Sequence, residues 1–195
     1  VSDTRNAAAE CRALVVSCYA TPLMPATLPP SLPPETPILT GGVTLHTESP
    51  PWLRSVAVGL FVPWGSAYES AEESGAAHFI EHLVFKGTRR RTARDIALAI
   101  ERHGGALNAA TERELTSYYC RIDATYLETA LDVLMDLCFQ AEFRPVLVDR
   151  ERTVVIEEIE GNQDDPTYFL FDQFLHSTWG NTGMGRAVTG TPDSV

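Results

Sequence analysis

Three observations predict an α+β domain, an antiparallel or mixed β-sheet covered by helices. Strand-like runs come in two pairs; helix-like runs with one apolar face separate and follow those pairs; and no internal repeat divides the chain.

The first strand is expected at 43–47, after a turn at Gly41 and Gly42, and the second at 55–62, where Val56, Val58, Leu60 and Val62 alternate with smaller or polar residues. Pro63 to Ser66 breaks that pattern. A helix is expected over 72–85, stopped by Lys86 and Gly87, and a second over 93–103 with Thr92 as its N-cap and Ile96, Leu98, Ala99 and Ile100 apolar. Gly104 and Gly105 close it. The second pair of strands falls at 106–111 and 115–122, joined by a polar turn at 112–114. Residues 126–141 then form a helix whose buried side is Leu127, Leu131, Leu134, Met135 and Cys138. Pro145 can open a further helix running past Glu158 towards Gly161, and Pro166 one more over 167–176.

Residues 1–37 differ in composition. Small residues give way to Pro22, Pro25, Pro29, Pro30, Pro33, Pro34 and Pro37, so this segment is expected as an extended or disordered lead-in to a domain over 38–195. Residues 13–17 before Cys18 faintly resemble a lipoprotein cleavage site, but the apolar stretch is short and Asp3 and Glu10 precede it. A cytoplasmic location is the expectation, with a cleaved signal left open.

The 195 residues are 44% hydrophobic and carry a net charge of −11, which allows a sizeable core and argues against a nucleic-acid partner. No apolar run reaches the length of a membrane span. Cys11, Cys18, Cys120 and Cys138 lack the close pairing of a thiolate metal site. Lys86 is the only lysine, and no function follows from that in the sequence.

The chemistry lies at His78, Glu81 and His82. A helix completes a turn in about 3.6 residues, so these three share one face. Neutral imidazole is the commonest zinc ligand, and a catalytic zinc uses three protein ligands with a fourth position for water. Two histidines leave one ligand to be found. Glu81 is better used as a base, because zinc lowers the pKa of a bound water to about 7 and a neighbouring carboxylate can take its proton. The histidine spacing is that of the inverted zinc-peptidase motif. Candidates for the third ligand lie on the helix after Pro145, which carries Glu151, Glu157, Glu158 and Glu160. Glu151 and Glu158 share a face there, while Glu157 and Glu160 suit a solvated side.

Three separated stretches, HFIEHLVFKGT at 78–88, GALNAAT at 105–111 and ERTVVIEEI at 151–159, resemble the pitrilysin family of zinc metallopeptidases. That family, the inverzincins, includes insulin-degrading enzyme and the mitochondrial processing peptidase. The likeness covers about residues 38–195, including GRAVTGTPDSV at 185–195, and implies the processing-peptidase α/β roll. It implies that His78, His82 and Glu158 bind one Zn2+ and that Glu81 is the catalytic base. Glu158 follows His82 by seventy-six residues, the family's spacing. Glu151 matches a second acidic position that supports the ligands from behind. Asn108 and Ala109 match an edge-strand segment that holds the substrate backbone, and Phe85 would line the cleft.

Ala110 and Ala67 stand where the family commonly has an aromatic residue and an arginine, which implies a different substrate pocket. Family members join two or more similar domains into a chamber, and a later domain supplies an arginine and a tyrosine. The resemblance therefore implies an incomplete first domain, with a peptide as substrate and a complementary C-terminal domain or partner subunit. The alternative expectation is a split zinc- and peptide-binding subunit that turns over only with that partner.

Overall fold

The computed structural model describes residues 13–17, 44–48 and 53–195. Five strands form one mixed sheet: β1 (Ala13–Ser17), β2 (Thr44–Glu48), β3 (Ser55–Val62), β4 (Ala106–Thr111) and β5 (Thr116–Asp123), in the order β2-β1-β3-β5-β4. β1 runs parallel to β2, and the β1–β3, β3–β5 and β4–β5 pairs are antiparallel. Among the described residues the α-helices are α1 (Ala76–Val84), α2 (Ala93–Glu101), α3 (Leu127–Gln140), α4 (Pro145–Asp164) and α5 (Pro166–Trp179). No helix among the described residues is long and apolar enough to cross a membrane.

Alternation in β3 and β5 builds the core. Val56, Val58 and Leu60 stand opposite Ile122, Cys120 and Tyr118, and all six are buried. Period-two side chains put them on one face, where α3 supplies Ala130, Val133, Leu134 and Leu137, and α2 supplies Ile96, Ala99 and Ile100. Burying a large aliphatic side chain in such a cluster contributes about 1.5–3 kcal/mol. Cys120 is part of this core, and Cys138 packs half-buried against it.

The expected elements form, with shifted limits. The helix expected from 72 begins at Ala76, because Gly75 adopts φ +89, which no helical residue uses. A Cβ there would lie 2.6 Å from the Thr189 carbonyl oxygen, and one on Gly190 (φ +75) would lie 2.4 Å from that of Ser74. Glycine at both positions lets the loop at 183–190 press on the start of α1. The buried Glu69 carboxylate accepts hydrogen bonds from the backbone N–H groups of Gly75 and Ala77 at 2.8 and 2.7 Å, filling two donors left over at that helix end. α2 has the expected Thr92 cap, closed into a capping box by Asp95. α4 runs through Gly161 to Asp164, and α5 continues to Trp179.

The difference of most consequence is β1. It comes from within the segment expected as a lead-in, and it inserts between β2 and β3, which therefore do not pair. A five-residue run containing Leu14, Val15 and Val16 has the branched side chains of a strand, and the open edge of β3 offers it backbone partners. The remainder of 1–37, with its prolines, Cys11 and Cys18, and the turn at Gly41 and Gly42, lie outside the described residues.

Candidate metal centre

α1 packs between the edge strand β4 and helix α4, and this brings together the face of His78, Glu81 and His82 and the acidic face of α4. One donor atom from each of His78, His82 and Glu158 lies within 4.8 Å of the others, the one such group among the described residues. His78 Nε2 is 3.5 Å from Glu158 Oε1, and His82 Nε2 is 3.3 Å from Glu158 Oε2. Four ligands at zinc bond lengths of about 2.0–2.2 Å stand about 3.4 Å apart around a tetrahedron. The three donors have room for such an ion.

Their electrostatics agree with that fit. Burial pulls the pKa of His78 below its ordinary 6.5, outweighing the pull of the Glu158 carboxylate in the other direction. His78 is therefore a neutral imidazole at neutral pH, the form a metal requires. Its Nδ1 is buried without a hydrogen-bond partner. His82 Nδ1 lies 2.9 Å from Glu151 Oε1. A carboxylate accepts, so Nδ1 is the nitrogen that donates to Glu151, and Nε2 is the one turned towards Glu158. Glu151 is buried, while Glu158 is part exposed and can meet an ion and solvent together.

Glu81 is half-buried, and the Thr111 hydroxyl at the end of β4 donates to its Oε2 at 2.6 Å. Sequence reading missed Thr111, because only the packing of α1 on β4 brings residues thirty positions apart into contact. It missed Lys86 as well, whose Nζ is 2.7 Å from Glu151 Oε2. The helical period alone would have put Lys86 four residues past His82 on the same face.

Asn108 is exposed and Ala109 buried on β4, a strand at the end of the sheet order, and Asn108 Oδ1 accepts from the Ala109 N–H at 2.9 Å. Phe85, the C-terminal cap of α1, is half-buried and packs against the hydrophobic core. Glu157 and Glu160 are exposed, as a solvated face requires.

A histidine pair on one helix, closed by a carboxylate from a second and with Glu81 free of the group, is a donor set that could hold a metal ion. Residues 44–192 match the insulinase family of peptidases, family M16, and the chain belongs to that family. It is 42% identical over 157 residues to an uncharacterised zinc protease of Streptomyces coelicolor, covering 80% of this chain and 34% of that protein. It is 46% identical over 157 residues to one of Mycobacterium leprae, with 80% and 35% covered. The zinc protease YmxG of Bacillus subtilis is 38% identical over 154 residues, with 79% and 38% covered. A protease from Helicobacter pylori shares the fold with a TM-score of 0.79 at 24% identity, over 83% of this chain and 39% of that one. The chain thus spans 34–38% of the length of these three curated relatives.

Proposed function

We propose that this chain is a zinc-dependent endopeptidase domain that holds one zinc ion at His78, His82 and Glu158 and hydrolyses peptide bonds of unfolded peptides. The observation that carries the reading is the convergence of those three donors within 4.8 Å beside Glu81. Bound zinc supplies a Lewis acid that lowers the pKa of a water and polarises a scissile carbonyl. Glu81 takes the proton of the attacking water and returns it to the leaving amine. Thr111 holds one of its oxygens, leaving the other for the proton. Glu151 orients His82. The peptide lies as an added strand along β4 at Asn108 and Ala109, an arrangement that selects extended backbone before sequence, with Phe85 bordering the cleft from the end of α1.

Metal analysis of the purified chain is expected to find stoichiometric zinc, lost in Glu158→Ala. Glu81→Gln is expected to keep the zinc and lose cleavage of an unstructured peptide by about 10²–10⁴-fold. A wild-type chain that purifies and stays metal-free in zinc-containing buffer would sink the proposal.

The exposed apolar residues of α5 favour a second reading, in which this chain binds zinc and peptide but turns over only with a complementary domain or subunit against that helix. Cleavage that begins only when such a segment is added supports it; full cleavage by this chain alone rejects it.

A further inference from the structure

Lys86 lies in the turn directly after α1, four residues beyond His82. Its backbone is fixed on both sides: its N–H donates to the Leu83 carbonyl at 3.0 Å, and the next two residues form bridges to Thr92 and Ala141. From that base its ammonium reaches Glu151 Oε2 at 2.7 Å, while Glu151 Oε1 accepts from His82 Nδ1 at 2.9 Å. One carboxylate is thus held at both oxygens, by His82 on α1 and by Lys86 in the turn that follows it.

The burial of the partners decides what the contact does. The Glu151 side chain is 6% exposed and that of Lys86 34%. A surface ion pair contributes little, but a carboxylate withdrawn from water needs a donor at each oxygen or it turns to find one. Deprived of Lys86, Glu151 keeps only the His82 N–H, and a rotation towards solvent releases that as well. The imidazole then has no partner to choose its tautomer, and Nε2 can carry the proton that blocks a metal.

We propose that Lys86 is a positioning residue of the metal centre, acting through Glu151 to keep the His82 proton on Nδ1 and its Nε2 turned towards Glu158. The proposal rests on the zinc-site reading above. It also assigns a role to the one lysine in the chain.

The test uses the whole chain and reads both the metal-free and the metal-bound protein. Nitrogen-15 NMR of the histidine rings in metal-free wild type at alkaline pH is expected to show His82 protonated on Nδ1. Lys86→Met is expected to reduce that tautomer and to weaken zinc binding, in competition with a chromophoric chelator, by about ten- to a hundredfold. Lys86→Arg, which restores a cation to Glu151, is expected to recover most of both. In a Glu151→Gln background Lys86→Met should add almost nothing, because the carboxylate through which it acts has gone. Lys86→Gln is carried in parallel, so that a folding failure of the methionine variant leaves a variant to measure. Wild-type tautomer and zinc affinity in the folded Met or Gln variant, or effects of Lys86 and Glu151 that simply add, would overturn the proposal. A wild-type chain that fails to bind zinc overturns the metal reading instead, and the tautomer of the metal-free variants still reports on Lys86.

Discussion

α3 and α5 have the same length, fourteen residues, and opposite fates. α3 buries Ala130, Val133, Leu134, Asp136 and Leu137, whereas α5 buries nothing and leaves Tyr168, Phe169, Leu170, Phe171, Phe174 and Trp179 more than half exposed. Composition does not separate them, since both are rich in large apolar residues. What separates them is arrangement: the apolar residues of α3 recur at helical spacing and meet the β3–β5 face, while residues 168–171 of α5 are consecutive and point around the helix. A helix that is apolar all round is built to be covered on more than one side.

α3 has a polar anchor too. Asp136 is buried, accepts from the Thr88 hydroxyl at 2.7 Å and from Arg90 at 2.9 Å, and pairs with Arg91. Asp132, one turn earlier, pairs with the same two arginines. The loop between α1 and α2 is thereby tied to α3. Burial alone would raise the Asp136 carboxyl pKa, but the Thr88, Arg90 and Arg91 bonds outweigh it and hold it below its ordinary 3.8.

The contrast can be broken most severely in the core. Leu134→Ala or Leu137→Ala should cost about 3 kcal/mol in denaturant unfolding, the range for a leucine cavity that cannot collapse. Asp136→Asn should cost less, about 2 kcal/mol, since its arginine partners reach solvent. Its sign with pH is fixed. A carboxyl depressed in the folded state contributes stability above its unfolded pKa of about 3.9 and loses it as pH falls through the folded value. The stability gap between wild type and Asp136→Asn should therefore shrink as pH falls from about 5 to 3. The smallest effect belongs to α5: Leu170→Glu should change stability by less than about 0.5 kcal/mol and reduce self-association in light scattering. A large loss of stability there would mean that α5 is covered within the folded chain.

The same contrast explains what could be read in advance. Alternation at Val56, Val58 and Leu60, the Thr92 cap and the α3 stripe are local patterns, and each formed close to its expected limits. His78, Glu81 and His82 share a face by helical period alone. Ends were less legible where a neighbour decided them, as at Gly75, whose left-handed conformation serves the contact with Gly190. Burial on α5 was not legible at all.

By itself, the sequence determined the element types from β2 onward, the histidine face and an acidic face on α4, because these follow from periods of two and about 3.6 residues. Only the tertiary structure decided that β1 lies between β2 and β3, that Thr111 reaches Glu81 and that Lys86 reaches Glu151. Periodicity states which side of an element a residue occupies. It does not state what stands opposite, and Glu151, Lys86 and His82 meet only because α1 packs against α4.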